Sequence, residues 1–395
     1  MGTNLILSLD FLAAGLQGYI VPFLVALSIV VFFHELGHFL IARACGIGVL
    51  VFSIGIGPEI VGFNDRKRTR WKISAIPLGG YVKFFGDENA ASVPDAATVA
   101  QMSEAERKVS FFHQPVWSRA AVVVAGPLAN FILAIVIFAG IFSVYGKEST
   151  AARVATVQSG SAAEAAGFQP GDLVLSIDGR QIESFDDLQR IIVTNPGQTL
   201  KIVVDRGGVH ETLTATPVVS EVKDNLGNVH RQGMLGITRA SVAPGESAVK
   251  PVDPLTAVVL GIREAWSVID SMVTYLARVV VGRESPDQLG GPIRIAQIAG
   301  QVWQGGLHNG GIGTAVIAIV QLSAILSVSI GLLNLFPIPL LDGGHLLFYA
   351  VEAVRGRPLS ERAQEVGFRF GLAVVLMLMI FATYNDISQL FHWLS

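Results

Sequence analysis

Residues 19 to 42 form an apolar run that carries one ionisable cluster, His34-Glu35-Leu36-Gly37-His38, set in VVFFHELGHFLIA. A run of that length crosses the hydrocarbon core of a bilayer as a helix. At that depth a charged side chain costs roughly 2.5 to 3.5 kcal/mol on insertion scales, so such residues face a protein interior or a water-filled cavity and serve a function. On a helix, residues i and i+4 share a face, which lets His34 and His38 hold one metal ion while Glu35 reaches the water that the ion activates. This one stretch therefore demands a membrane span, a helix, and further spans to enclose it.

The composition agrees. With 51% hydrophobic and 15% charged residues in 395, the chain is too apolar for a soluble protein and reads as polytopic. A net charge of -3 gives no basis for nucleic-acid binding. The single cysteine, Cys45, excludes an internal disulfide and a cysteine metal cage, which leaves histidine and carboxylate as ligands. The opening residues MGTNLILSLDFLAAG lack Lys and Arg and contain Asp10, so the basic start of a cleaved signal peptide is missing and a retained first span is expected.

Four spans are predicted, at about 19–42, 119–144, 312–335 and 368–385. After the first, β-type runs (VLVFSIGIG, EIVGF, RWKISAI) lead to PLGGYVKFFGD, where Pro77, Gly79 and Gly80 predict the turn of a hairpin within 49–86. Its strand YVKFF is apolar enough to dip into the membrane. Residues 90–118 are polar and Ala-rich, with a short helical piece, SEAERKVSFF. The second span, RAAVVVAGPLANFILAIVIFAGIFSV, contains Gly126, Pro127 and Asn130, read as helix-packing residues.

Between 149 and 218 the sequence turns soluble. Short β-runs enclose a helix with apolar positions Leu188, Ile191 and Ile192. The core GFQPGDLVLSIDGRQI resembles a PDZ domain of the permuted kind attached to bacterial membrane proteases, which implies peptide binding by addition to a sheet edge. Residues 219–308 are read as a β extension followed by amphipathic helices, where Arg263, Glu264, Asp270 and Arg278 recur through an otherwise apolar stretch. In the C-terminal half, 309–395, Pro337 and Pro339 after Asn334 open the third span and deliver Asp342 at membrane depth. Basic residues flank both the first inter-span region and the loop between spans three and four. The positive-inside rule puts those regions in the cytoplasm and the PDZ-like insert outside. The expected fold is thus a polytopic α-helical membrane protein with four transmembrane helices, a membrane-associated β-hairpin region and an inserted α+β PDZ domain, with 1–148 and 309–395 as the halves of the membrane domain.

A catalytic zinc takes three protein ligands and keeps a fourth place open. His34 and His38 are two; Asp342 in LLDGGH is the candidate third, with His345 its competitor. The chemistry expected is metal-assisted hydrolysis with Glu35 as the base that takes a proton from water and passes it to the leaving amine. Asn334 either donates to substrate or caps the broken helix.

Taken together, HELGH, PLGGYVKF, AGPLANF, the PDZ core and NLFPIPLLDGGHLLF resemble the site-2 protease family of zinc intramembrane metalloproteases, most nearly its bacterial regulator-of-sigma-E branch. The resemblance covers residues 20 to 390. It implies Zn2+ on His34, His38 and Asp342, Glu35 as catalytic base, and a membrane-reentrant hairpin whose Gly79, Gly80, Tyr81 and Val82 hold the substrate as an added strand. It further implies a bacterial inner-membrane enzyme whose partners are single-pass membrane proteins, pre-cleaved anti-sigma factors among them, and the lipid bilayer. Nearest relatives often carry two PDZ domains in tandem, whereas one is visible here. Two other readings stand beside this one. A non-proteolytic relative would be expected to lose Glu35 or a ligand, and a transporter would not need the HExxH spacing.

Overall fold

The computed structural model describes residues 2–86, 102–148, 151–223, 229–239, 249–282, 286 and 290–394. Much of the polar, Ala-rich stretch, 87–101, therefore lies outside the described residues. The chain divides into two compact units, Met1–Ala139 with Val258–Asp386, and Gly140–Ala257 with Ile387–Ser395.

Helix α1 (Gly2–Ala44) carries HELGH in its last third and ends with Arg43 in its final turn, where a cation complements the helix dipole. Two long strands follow, β1 (Val49–Asn64) and β2 (Arg70–Phe84). Both are bent. Gly55 and Gly57 adopt φ of 84° and 94°, a region costly for other residues, and fold β1 back on itself. As a result Val51–Ile54 have two sets of partners, Gly80–Lys83 on one side and Arg70–Ile73 on the other, while Val61–Asn64 pair with Arg70–Ile73. The expected turn is one of two. Strand β2 itself reverses through Pro77–Gly79, because Arg70–Ile73 and Gly80–Lys83 run in opposite directions along Val51–Ile54, and the reversal between the strands is the polar segment Asp65–Thr69. Asp65 explains why the chain turns there: its carboxylate accepts from the backbone N–H of Lys67 and Thr69 and from Arg43 at the end of α1. The sheet packs on α1 through an aromatic stack in which Phe52 lies 4.2 Å from Trp71 and edge-on to Phe39 at 5.6 Å, centroid to centroid.

A short helix α2 (Glu104–Val109), closed by a Ser103–Glu106 capping box, precedes α3 (Val116–Tyr145). A Cβ on Gly37 would fall 2.2 Å from the Ala125 carbonyl oxygen, so α1 and α3 touch backbone to backbone.

The second unit is built on β3 (Lys147–Glu148), β4 (Val154–Val157), α4 (Ala162–Ala165), β5 (Leu173–Ile177), β6 (Arg180–Gln181), α5 (Phe185–Thr194), β7 (Leu200–Arg206), β8 (Val209–Ala215), β9 (Val218–Lys223), β10 (Val229–Met234), β11 (Ile237–Arg239) and β12 (Val249–Lys250). The main sheet has the order β6-β5-β7-β8, with β4 paired to β11, β9 to β10 and β3 to β12. Helix α5 turns Leu188 and Ile192 into a core with Val174, Ile177, Ile202 and Val204. Ser184 and Asp187 form the capping box that starts it. Asp172, 1% exposed, takes two hydrogen bonds of 2.8 Å from the Arg206 guanidinium.

Four helices complete the chain: α6 (Pro254–Val280), α7 (Pro292–Asn334), α8 (Asp342–Arg355) and α9 (Glu361–Leu394). Among the described residues four helical segments are long and apolar enough to cross a membrane: Gly18–Ala44, Val116–Tyr145, Pro292–Asn334 and Arg362–Ser388. In the third, Gly311 takes φ 77° and breaks the helix, so the amphipathic piece that begins at Pro292 ends there and the apolar one starts near Ile312, as expected. The two pieces fold against each other, a Cβ on Gly306 falling 2.4 Å from Ala315 Cα. At its far end α7 stops at Asn334, and Pro337 and Pro339 occupy the connection to α8, whose first residue is Asp342. Asp386 of α9 caps the start of α7 by accepting from the N–H groups of Gly291, Ile293 and Arg294.

Candidate metal centre

Two local rules build the centre. Helical spacing stacks His34 and His38, whose ring centroids lie 4.8 Å apart at 84°. The proline-broken connection after α7 starts α8 at Asp342, so that carboxylate sits at a helix N-terminus, where negative charge is favoured. The three side chains converge. His34 Nε2 is 3.2 Å from His38 Nε2 and 3.3 Å from Asp342 Oδ2, and His38 Nε2 is 3.7 Å from Asp342 Oδ1. Zinc bonds of about 2.0–2.1 Å at tetrahedral angles set donor atoms roughly 3.3 Å apart, close to the distances seen here. Asp342 Oδ2 is buried and accepts no hydrogen bond. His38 Nδ1 lies 2.8 Å from the Val122 carbonyl oxygen, which only accepts; Nδ1 therefore carries the proton and Nε2 presents a lone pair. Three ligating atoms this close together, one of them a buried carboxylate oxygen without a hydrogen bond, fit a cation, and the His/His/carboxylate set fits zinc.

Helix α3 supplies the back wall. A Cβ on Gly126 would sit 2.3 Å from His38 Nε2 and 2.9 Å from His34 Cε1, so both imidazoles rest on bare backbone. Asn130, fully buried, places Nδ2 3.2 Å from His34 Nδ1. Its expected role in helix packing gains a specific partner, the ring of a site histidine on the facing helix. The signal was present in the sequence. Val122, Gly126 and Asn130 recur every fourth residue, matching the spacing of His34 and His38 on the facing helix.

A cavity of about 370 Å³ opens in front of the cluster. It is lined by His34, Glu35, His38, Asn334 and Asp342, and by Gly79, Gly80, Tyr81 and Val82 of β2. The candidate ligands, base and substrate-binding residues thus border one space. Glu35 lies within hydrogen-bonding reach of the Val82 backbone, and a Cβ on Gly80 would come 3.1 Å from Glu35 Cγ and 2.8 Å from Ser53 O. Only glycine lets β2 pass this close to α1. Asn334 Nδ2 is 3.5 Å from His34 Nε2, which sets it beside the donor cluster. His345 also borders the cavity, but its ring packs 5.4 Å from Phe368, and the donor group comprises His34, His38 and Asp342.

Known proteins share this chain's plan. The model of Peptidase family M50 matches residues 22–378. Relatives named “Putative zinc metalloprotease” include one from Agrobacterium fabrum, 49% identical over 95% of this chain and 97% of its own, and one from Rhizobium meliloti, 48% identical over 97% of this chain and 100% of its own. Metalloprotease MmpA from Caulobacter vibrioides is 43% identical over 94% of this chain and 95% of its own. Among solved structures, the PDZ domain of an SdrC-like protein from Listeria monocytogenes aligns at 25% identity with 22% of this chain and 84% of its own, at a TM-score of 0.18.

Proposed function

The chain belongs to peptidase family M50 and is a zinc metalloprotease, and from that premise we propose that it cleaves peptide bonds inside the transmembrane segments of single-pass membrane proteins, anti-sigma factors being the expected substrate class. The observation that carries this reading is the convergence of His34, His38, Asp342 and Glu35 on one cavity whose walls are apolar helices.

In this reading His34, His38 and Asp342 hold the zinc. The bound ion supplies Lewis acidity and makes water a nucleophile near neutral pH. Glu35 accepts a proton from that water and delivers it to the leaving amine, a role worth about 10²–10⁴-fold in rate. Asn334, at the end of α7, is placed to donate from Nδ2 to a carbonyl oxygen of the substrate.

Substrate is held by β2. Among the described residues, Gly80–Lys83 pair with Val51–Ile54 on one side only. The other edge has no strand partner, Glu35 meeting it at the Val82 backbone, and an extended peptide can add along its remaining backbone groups as a further strand. A substrate helix must unwind locally to do so, which exposes its scissile amide. The sheet β6-β5-β7-β8 with helix α5 is read as a PDZ-type module that engages polypeptide outside the bilayer. Four spans, an inner-membrane location and a metal centre facing the cytoplasmic side complete the proposal.

The test is cleavage of a transmembrane peptide by the purified protein and by Glu35→Gln. Zinc binding without cleavage is expected of the variant, and cleavage at the wild-type rate would sink the assigned mechanism.

A further inference from the structure

His34 and His38 are held from behind by different partners. The Val122 carbonyl beyond His38 can only accept, and so it fixes the proton on Nδ1. Behind His34 stands the carboxamide of Asn130, with Nδ2 3.2 Å from Nδ1 and with Oδ1 buried and without a hydrogen-bond partner. In that orientation the amide donates to Nδ1, which forces the imidazole proton onto Nε2, the atom that must face the metal with a lone pair. The two ends of a carboxamide are nearly isosteric, and a half-turn about Cβ–Cγ exchanges them. After the exchange Oδ1 accepts from Nδ1–H, Nε2 is free to ligate, and both histidines are held alike, each by an oxygen acceptor from α3.

We propose that Asn130 is a positioning residue for His34, accepting the imidazole Nδ1–H through Oδ1 and so fixing the ring orientation and tautomer in which Nε2 binds zinc. This rests on the reading of His34 as a zinc ligand. Asn130 is itself locked in place. Its backbone carbonyl accepts from Ser327 Oγ at 2.9 Å, and a Cβ on Gly331 would lie 3.2 Å from Asn130 Cβ, so α7 braces it against α1. An acceptor fixed from both neighbouring helices aims the ring without needing to reorganise when the ion binds.

The experiment uses the purified full chain in detergent, with zinc affinity measured by competition against a chromogenic chelator and the site geometry read from the visible absorption of the cobalt(II)-loaded protein. Asn130→Leu keeps the shape and removes the acceptor; a 10–100-fold loss of zinc affinity is expected, the size typical of losing an outer-shell partner. Asn130→Asp restores an acceptor, and its affinity should return to within about threefold of wild type with the cobalt spectrum preserved, a rescue that a packing role would not produce. Gly140→Ala on the same helix, where an added Cβ meets nothing within 4 Å, is the control and should leave zinc affinity unchanged. Thermal unfolding of the metal-free proteins checks that each variant is folded. Wild-type affinity in Asn130→Leu, or equal losses in the Leu and Asp variants while both are folded, overturns the proposal. Failure of His34→Ala to weaken zinc binding would instead remove the ligand reading on which it stands.

Discussion

Gly126→Ala offers a sharp test, because the structure predicts opposite effects on stability and on metal binding. The new Cβ would stand 2.3 Å from His38 Nε2 and 2.5 Å from His38 Cε1. Ordinary contact is about 3.5 Å, so with 2.3 Å available the ring must retreat by roughly 1.2 Å. Backing the whole of α1 away would open the backbone-to-backbone contact of Gly37 with Ala125, so the local response is the cheaper one. The ring must move, and its 2.8 Å hydrogen bond to Val122 goes with it. A misplacement of about 1 Å costs on the order of 10²-fold in rate, and a displaced ligand should weaken zinc by a comparable factor. Alanine meanwhile favours the helix by about 1 kcal/mol over glycine. The variant should therefore be at least as stable as wild type without metal, yet bind zinc at least tenfold more weakly in chelator competition and cut a transmembrane peptide about a hundredfold more slowly. Gly140→Ala on the same helix, where a Cβ meets nothing within 4 Å, is the control and should leave both readouts alone. Unchanged zinc affinity and cleavage in Gly126→Ala would refute the packing of His38 against α3.

Other outcomes follow from the same geometry. Asp342→Asn should cost at least tenfold in zinc affinity while His345→Ala costs little, measured side by side; the reverse order would transfer the third ligand to His345. Gly80→Val forces a side chain between Ser53 and Glu35, and peptide cleavage should fall at least tenfold with zinc content unchanged; a normal rate would remove β2 from the substrate path. In a substrate segment, replacing helix-breaking residues near the cut by Leu should slow hydrolysis, and an unaltered rate would mean that local unwinding is not limiting. Asp172 gives a pH dependence. Burial pushes its carboxyl pKa up, but hydrogen bonds from Arg206 and the Gln169 N–H outweigh this and hold it below the usual carboxylate range. Its contribution is present above the unfolded pKa near ~3.9 and is lost as pH falls through the lower folded value. Asp172→Asn should cost roughly 1.5–3 kcal/mol at pH 7, with the gap closing on acidification below about pH 4. Hydrogen exchange of the 151–215 segment reads this, and a gap of constant size down to pH 3 would rule the ion pair out as its cause.

What the sequence determined is what local geometry carries. Helical periodicity alone puts His34 and His38 on one face, Pro337 and Pro339 force the break that releases Asp342, and apolar runs mark the four candidate spans. In the soluble insert, alternation and a one-sided helix marked the strands and the inward face of α5, with Leu188 and Ile192 buried as expected. Tertiary structure decided the rest. A second reversal at Asp65–Thr69 exists because Arg43, more than twenty residues earlier, binds the turn aspartate, and Gly80, beyond turning the chain, serves a close passage of β2 over Glu35. The amphipathic piece from Pro292 folds back on the span after it because Gly311 can take a positive φ and Gly306 lets the two pieces approach. The every-fourth-residue spacing of Val122, Gly126 and Asn130 puts them on one face of α3 but does not say what that face meets, for a more general reason. A soluble helix shows its buried face by contrast with its polar one, but a helix apolar on all sides leaves its rotation unmarked. Which residues of α3 face α1 is fixed by the fit of small residues between backbones, and that fit exists only once both helices are in place.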